Sequence, residues 1–384
     1  MFNFSYHNPT RVVFGQGQIS QLTELLPAKS KILLLYGGGS IKRNGVYEQV
    51  RSAIADFDVV EFAGIEPNPS FETLLKAVDV VKSEGITFLL PVGGGSVIDG
   101  AKFIAAAAMF EGDPWHILSK RAVIHAALPL GCVLTLPATG TESNGNSVVT
   151  RYSTQEKLSF SHDLVHPQFA ILDPTVTYSL PAKQIANGVV DAYIHVMEQY
   201  LTYSVNAAVQ DRFAEGLLLT LLEQGPLALA EPDNYDVRAN VMWAATMALN
   251  GLIGQGVPQD WSTHAIGHEI TAVYGLDHAQ TLAIVLPAVL QQQRQQKGDK
   301  LLQYGRRVFN LQHVDEERLK DDAIQYTRLF FEQMGVPTRL ADYGIGSEAV
   351  DILVDKLSQH RMVKLGERGD ITLDVSRAIL TAAL

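Results

Sequence analysis

The chain has 384 residues, which exceeds the usual size of a single hydrophobic core, so its length predicts two domains. A composition that is 47% hydrophobic and 18% charged is typical of a globular protein. Its 30 basic and 41 acidic side chains give a formal net charge of −11, which argues against nucleic acid or an anionic membrane as the main partner. Cys132 is the only cysteine, which excludes an intrachain disulfide, a Cys-x-x-Cys redox pair and a thiolate-rich zinc site.

Neither a signal peptide nor a membrane-spanning helix is expected. Residues 1–5 lack the basic stretch followed by an apolar stretch that marks a secretory signal. The uncharged segments 122–141 and 239–259 contain prolines and glycines, which fit buried strands, turns and a buried helix better than a transmembrane helix. We therefore expect a cytoplasmic protein with no membrane partner.

The first half of the chain alternates between strand-like and helix-like segments. An apolar run predicts a buried strand at residues 31–36, and two further strands are expected at residues 57–63 and 86–92. Helices are expected at residues 44–56, 70–84 and from the second glycine turn to Ala108. This order predicts an α/β fold with a parallel sheet that is covered by helices, and it places ligands at the carboxyl ends of the strands.

Helical periodicity prevails beyond Leu180-Pro181. Helices are expected at residues 181–202, 205–230, 235–252, 260–273, 279–295 and 318–334. We therefore predict a dinucleotide-binding α/β domain at residues 1–180 and an all-α domain for metal and substrate at residues 181–384.

Two Gly-Gly-Gly-Ser turns follow predicted strands, at residues 37–40 and 93–96. Glycine lets backbone N–H groups approach a phosphate, and the helix that follows adds the positive end of its dipole. Ser96 is a candidate cap for the second helix, with Asp99 and Lys102 one turn further along. A plain strand-to-helix connection is the alternative, but two such turns in one α/β half favour phosphate binding. Neither turn matches Gly-x-Gly-x-x-Gly, so the standard Rossmann fingerprint is absent.

The charges around the first glycine turn favour NADP(H) over NAD(H). NAD sites usually place a carboxylate on the ribose 2′-hydroxyl. No Asp or Glu lies between Tyr36 and Tyr47, whereas Ser40, Lys42 and Arg43 do, so a 2′-phosphate would meet donors without repulsion. The alternative is that Lys42 and Arg43 belong only to a solvated helix start.

Five residues in two clusters suit a divalent cation. Asp191 and His195 have the i, i+4 spacing that puts both on one helix face, and His264 and His268 repeat it. His278 follows after a break at residues 274–277. A carboxylate with imidazoles and no thiolate is a ligand set for a catalytic divalent ion. A single histidine is more commonly a polar core or surface residue, but three in a short apolar segment favour a metal site. The spacing leaves open which three histidines bind.

A nucleotide site and a metal site in one chain together indicate a metal-assisted redox enzyme. A divalent ion would polarise a carbonyl oxygen while a nicotinamide delivers hydride to the carbonyl carbon. Three rivals remain open. They are a metal- and nicotinamide-dependent lyase or isomerase of the same architecture, a metal hydrolase whose histidines activate water, and a non-catalytic nucleotide sensor.

The chain resembles the iron-containing (group III) alcohol dehydrogenase family over nearly its whole length, and within it the NADP-dependent aldehyde reductase/butanol dehydrogenase branch. The resemblance is carried by Tyr-Gly-Gly-Gly-Ser-Ile-Lys at 36–42, Glu-Pro-Asn-Pro at 66–69, Val-Gly-Gly-Gly-Ser-Val-Ile-Asp at 92–99, Leu-Pro-Ala-Thr-Gly-Thr-Glu-Ser at 136–143 and Gly-Leu-Asp-His-Ala at 275–279. It implies the architecture shared with dehydroquinate synthase, with an N-terminal dinucleotide-binding domain, a C-terminal helical domain and a site in the cleft between them.

The resemblance also implies residue roles. The metal ligands are then Asp191, His195, His264 and His278, whereas His268 lies close to substrate and nicotinamide and is our candidate for passing the proton. The expected cofactor contacts include the first glycine turn. They are Gly37, Gly38, Gly39, Ser40, Asn68, Gly94, Gly95, Ser96, Asp99, Thr135, Thr139 and Lys157. The expected reaction is the reversible, NADPH-dependent reduction of small aldehydes to primary alcohols, with Fe²⁺ or Zn²⁺ as the ion and a homodimer as the assembly.

Overall fold

The computed structural model describes every residue from Met1 to Leu384. By internal packing the chain forms two compact units, which we describe separately. The α/β unit comprises His7–Pro181 and Pro232–Thr246, and the helical unit comprises Met1–Tyr6, Ala182–Glu231 and Met247–Leu384. A domain boundary at residue 180 stays a prediction. Two segments belong to the unit on the other side of residue 180, namely Met1–Tyr6 and Pro232–Thr246. Pro232–Thr246 belongs to the α/β unit for a packing reason, because Met242 is part of the apolar cluster of Leu134 and Leu172.

The α/β unit is built on a six-stranded parallel sheet with the strand order β1-β8-β5-β4-β2-β3. Its strands are β1 (Arg11–Phe14), β2 (Lys31–Leu35), β3 (Asp58–Phe62), β4 (Phe88–Gly94), β5 (Cys132–Leu136) and β8 (Phe169–Leu172). A separate antiparallel hairpin consists of β6 (Asn146–Arg151) and β7 (Glu156–Ser161). The predicted parallel sheet and its three predicted strands are confirmed. The short strands β1 and β8 and the hairpin were not predicted.

Helices cover both faces of this sheet. They are α1 (Leu22–Leu25), α2 (Ser40–Arg43), α3 (Val46–Ala53), α4 (Phe71–Glu84), α5 (Gly95–Ala108) and α6 (His116–Ser119). Successive side chains of a strand point to opposite faces, so Leu33 and Leu35 pack with the cluster that includes α4 and α5. Ile32 and Leu34 pack instead with the cluster that includes α3. This double burial explains why β2 is an uninterrupted apolar run in the sequence.

The two glycine turns lie at the point where the strand order reverses. Strands β2 and β4 are neighbours, and the chain continues outward from them in opposite directions, from β2 to β3 and from β4 to β5. The turn at residues 37–39 follows β2, and the turn at residues 93–95 joins β4 to α5. In an open parallel sheet the crevice at such a switch point is where ligands bind.

The helical unit contains the second set of helices. They are α7 (Ala182–Tyr200), α8 (Ala208–Ala230), the end of α9 (Tyr235–Leu249), α10 (Ser262–Tyr274), α11 (His278–Gln292), α12 (Gly298–Arg307), α13 (Glu316–Gln333), α14 (Glu348–Gln359) and α15 (Leu373–Ala382). The all-α prediction for this part of the chain is confirmed, and α12, α14 and α15 add to the helices that periodicity indicated. None of the helices in the chain combines the length and the apolar character needed to cross a bilayer.

Candidate active site

Helix α7 carries the first pair of predicted metal ligands. Asp191 and His195 occur one turn apart on a helix that is buried on nearly all sides from Val189 onwards. Each is only 3% exposed. A buried carboxylate and a buried imidazole on one face are costly unless they bind a partner.

Two helix ends bring the remaining histidines together. Helix α10 carries His264 and His268 and ends at Gly275, whose φ of 71° places it in the left-handed region that closes a helix. Asp277 then starts α11 through a capping box with Gln280, which makes His278 the first residue of the helix. The short turn folds His278 back onto α10, with its ring centroid 5.1 Å from that of His264 and 5.3 Å from that of His268.

The four ligand candidates converge on one point. The ligand atoms of Asp191, His195, His264 and His278 all lie within 4.8 Å of one another. The Nε2 atoms of His195 and His264 are 3.1 Å apart, and Oδ1 of Asp191 lies 3.7 Å from Nε2 of His195 and 3.8 Å from Nε2 of His278. Ligand bonds of roughly 2.0–2.1 Å in a tetrahedron require spacings of about 3.4 Å. Oδ1 of Asp191 is buried and accepts no hydrogen bond, so these residues fit a divalent ion.

His268 is near this group without being part of it. Its ring centroid lies 6.2 Å from that of His264, which is one helical turn earlier on α10. The His268 ring is closer to the ring of His278, at 5.3 Å between centroids, than to the ring of His264. The separate role expected for His268 stays a prediction.

A second buried carboxylate supports the ligand group and was missed in the sequence. Glu198 follows His195 by three residues on α7, and its side chain meets Nδ1 of His264. Burial, followed by repulsion from Asp260, raises the pKa of Glu198 well above its ordinary value. A cation held by His264 would oppose that shift, because positive charge favours the ionised carboxyl group. The i, i+4, i+7 spacing of Asp191, His195 and Glu198 was the signal that could have revealed it.

The predicted phosphate turns approach neighbouring groups too closely for larger residues. A Cβ atom on Gly95 would lie 2.6 Å from Oγ1 of Thr139, and one on Gly37 would lie 3.1 Å from the carbonyl oxygen of Ile65. Gly39 has a φ of 85°, which other residues rarely adopt. Gly38, in contrast, faces open space. Gly94 and Gly95 begin α5, so that the N–H groups of this helix face the crevice at the switch point.

Three other predicted cofactor residues form a connected group. Asn68 has a φ of 55°, and its backbone N–H donates to Oγ of Ser96 at 3.3 Å. Lys157 Nζ donates to Oδ1 of Asn68 at 2.9 Å. The hydroxyl of Ser96 therefore accepts a hydrogen bond from Asn68 and does not cap α5. The N-cap residue of this helix is Gly94, which has no side chain to cap it.

Asp99 and Lys102 face inward from α5. Oδ1 of Asp99 accepts from the hydroxyl of Thr141 at 2.5 Å, and its Oδ2 accepts from the backbone N–H of Val148 at 3.0 Å. The Nζ atom of Lys102, which is fully buried, lies 2.6–3.1 Å from five oxygens of the loop formed by residues 141–146. Burial lowers the pKa of Lys102 to about 8, an effect that Asp99 opposes. Both residues thus hold the loop that follows Thr139.

Thr135 lies at an irregularity of the sheet. The pairing of β4 with β5 shifts between Gly93 and Gly94, whose partners are Leu134 and Leu136. Thr135 is left between these partners, which is the arrangement of a bulge next to a site. It lies at the carboxyl end of β5, and its contact with the cofactor stays a prediction.

The surroundings of Lys42 differ from the sequence expectation. Glu61 of β3 lies beside Lys42, with 3.8 Å between its Oε2 and Nζ, and it accepts hydrogen bonds from the hydroxyls of Tyr36 and Tyr47 at 2.8 and 2.6 Å. The Nζ atom also lies over both tyrosine rings. A carboxylate is therefore present near the first glycine turn. The local sequence could not reveal it, because Glu61 arrives through the pairing of β2 with β3.

Comparison with known families agrees with this geometry. The model for "iron-containing alcohol dehydrogenase" matches residues 9–174, and the model for the C-terminal domain of the same family matches residues 185–383. The chain belongs to the iron-containing alcohol dehydrogenase family.

Several proteins of this family are similar over most or all of their length. The NADPH-dependent aldehyde reductase YqhD of Escherichia coli is 58% identical, with 100% of both chains covered, and a crystal structure of YqhD superposes with a TM-score of 0.99 over 100% of this chain and 99% of the other. A probable NADH-dependent butanol dehydrogenase of Bacillus subtilis is 42% identical over 93% of each chain. The structure of NADH-dependent butanol dehydrogenase A from Thermotoga maritima is 37% identical, with a TM-score of 0.96 and coverage of 100% and 99%.

Proposed function

We propose that this protein is an NADPH-dependent, divalent-metal-dependent reductase of small aldehydes that also oxidises the corresponding primary alcohols. One observation carries the proposal. Asp191, His195, His264 and His278 converge within 4.8 Å in a chain that is 58% identical to an NADPH-dependent aldehyde reductase over its full length.

The residues of the helical unit have distinct roles in this proposal. Asp191, His195, His264 and His278 would hold the ion, which is Fe²⁺ or Zn²⁺, because one carboxylate and three imidazoles suit either. When bound, that ion supplies a Lewis acid for a carbonyl oxygen. His268 would hold and pass the proton that the product oxygen requires.

The residues of the α/β unit would bind the dinucleotide that supplies the hydride. Gly37–Gly39 and Gly94–Gly95 would present backbone N–H groups to its phosphates, and Ser96 and Thr139 would line the same crevice. Thr135, Asn68 and Lys157 would contact the cofactor nearby, with Asp99 acting through the loop that it holds. Ser40, Lys42 and Arg43 would offer donors to a 2′-phosphate, but Glu61 also lies beside Lys42. The preference for NADP(H) therefore rests mainly on the 58% identity to an NADPH-dependent relative. Other similar relatives are named as NADH-dependent.

The cytoplasm as the location and a homodimer as the assembly complete the proposal. Both follow from the family resemblance, and an acidic chain with a single buried cysteine is compatible with them.

The test combines metal analysis with a substrate panel. Freshly purified protein should contain one equivalent of iron or zinc per chain, and it should oxidise NADPH in the presence of short aldehydes faster than it oxidises NADH. A chelator should abolish turnover, and the original metal should restore it. Hydrolysis of an ester or amide without NADPH oxidation would support the hydrolase alternative, and metal-dependent turnover of a nicotinamide-requiring lyase substrate would support the lyase.

A further inference from the structure

Glu198 extends the face of α7 that carries the metal ligands. Asp191, His195 and Glu198 stand at positions i, i+4 and i+7, which are neighbours along one face of a helix. The side chain of Glu198 is only 3% exposed. The proposed reaction uses the first two residues as ligands and leaves Glu198 without an assigned role.

Both carboxylate oxygens of Glu198 serve the same residue. Its Oε1 accepts from the backbone N–H of His264 at 3.2 Å, and its Oε2 is in hydrogen-bond contact with the ring Nδ1 of His264. One carboxyl group therefore contacts both the backbone and the ring of His264. In the tautomer with the proton on Nδ1, this N–H donates to Oε2, and the lone pair of Nε2 faces Nε2 of His195 at 3.1 Å.

The backbone around Glu198 secures this contact. Its carbonyl oxygen accepts from the N–H of Asp260 at 2.8 Å. The carboxylate of Asp260 accepts from the N–H of Ser262 at the start of α10 and pairs with the buried Lys297 at 2.8 Å. Asp260 thus ties the start of α10 to the end of α7, which restricts where His264 can lie.

A purely structural role would not require a charge at this position. Burying a carboxylate is costly unless it is paired, and an apolar group of similar volume usually stabilises a core at least as well. A carboxylate that accepts from a ligating imidazole, however, orients the ring and raises its basicity toward the metal. We infer that Glu198 is a positioning residue of the metal centre, which holds His264 in the tautomer and orientation that bind the ion. This inference rests on the proposed function, because it requires that His264 is a ligand.

The decisive experiment measures metal affinity and apo-protein stability in the same variants. Glu198→Gln keeps the shape and an acceptor oxygen but removes the charge, and Glu198→Ala removes the acceptor as well. Glu269→Gln is the matched control. Glu269 lies on α10 and is also a buried carboxylate in contact with a histidine, with 2.6 Å between its Oε1 and Nδ1 of His360. His360 is not a ligand candidate. Zn²⁺ affinity is measured on the apo protein by competition with a chromogenic chelator, and thermal unfolding is recorded without metal.

We expect Glu198→Gln to weaken Zn²⁺ binding by about 10- to 100-fold, and Glu198→Ala by more, as for other partners of metal-bound histidines. The apo Glu198→Gln protein should unfold at the temperature of the wild type or above it, because a buried charge has been removed. Glu269→Gln should bind Zn²⁺ like the wild type. In the Co²⁺-loaded protein, Glu198→Gln should also change the visible absorption that reports ligand geometry.

Two results would overturn the inference. The first is wild-type Zn²⁺ affinity in Glu198→Gln. The second is a loss of Zn²⁺ affinity that is not specific to Glu198, either because Glu269→Gln shows the same loss or because the apo Glu198→Gln protein is destabilised to the same extent. If the wild type itself bound neither Zn²⁺ nor Co²⁺, the proposed metal centre would fail first, so the two failures are distinguishable.

Discussion

The Nε2 atoms of His195 and His264 face each other across 3.1 Å, although 69 positions separate the two residues along the chain. Two unprotonated imidazole nitrogens repel at this distance unless a proton or a cation lies between them. Oδ1 of Asp191 is also close, at 3.7 Å from Nε2 of His195. The proposed chemistry rests on this relationship, because it brings four residues that are distant in the sequence into a group that could hold a cation.

Replacing His264 by alanine should remove the ion. Three ligands would remain, and the carboxylate of Glu198 would be buried without its imidazole partner. We expect substoichiometric metal after purification and loss of turnover, whereas the dinucleotide affinity, which depends on the α/β unit, should change little. Elemental analysis and a fluorescence titration with NADPH check both points. Full metal occupancy in this variant would exclude His264 as a ligand.

Replacing His268 by alanine should separate proton transfer from metal binding. The His268 ring lies outside the cluster of ligand atoms but within 5.3 Å of the His278 ring, measured between centroids. We expect normal metal content and a turnover number that is lower by roughly 10²- to 10⁴-fold, which is the usual contribution of a general acid or base. Steady-state kinetics over a range of pH, with parallel metal analysis, provide the measurement. Wild-type turnover would remove His268 from the mechanism.

Gly38→Asp should weaken the preference for NADPH. A Cβ atom added at Gly38 would meet no atom within 4 Å, so we expect the substitution to fit the fold and to act mainly through its charge. A carboxylate near a 2′-phosphate should raise KM for NADPH about tenfold, or ~1.4 kcal/mol, and leave KM for NADH unchanged or lower. Gly38→Ala is the uncharged control and should behave like the wild type. An equal effect of both variants on both cofactors would contradict placement of the 2′-phosphate here.

Lys102→Met should destabilise the α/β unit. The substitution keeps much of the apolar stem but leaves Asp99 and five loop oxygens without the buried ammonium group. Breaking a buried charged network of this kind costs about 3–5 kcal/mol. Thermal unfolding should therefore begin at a lower temperature than in Lys76→Met, which changes an exposed lysine of α4 in the same unit. Equal unfolding temperatures would show that the Lys102 network does not stabilise the unit.

Much of the fold could be predicted because it depends on local patterns. The apolar runs of β2 and β4 and the helical periodicity beyond residue 181 reflect how each segment is buried, and burial is recorded in the residues themselves. The four-residue strand β1 was missed, because so short a segment does not show a period. The glycine turns were identified because phosphate binding needs a backbone without side chains.

The sequence by itself determined the donor chemistry of this protein, since one carboxylate, several imidazoles and two glycine turns limit which ligands it can hold. Tertiary structure decided which donors meet. It separated His268 from the four converging ligand candidates, brought Glu198 of α7 to His264 of α10, and placed Glu61 beside Lys42. The physical reason is that spacing along one helix or strand fixes only which residues share a face, whereas contacts between segments depend on how helices cross and strands pair.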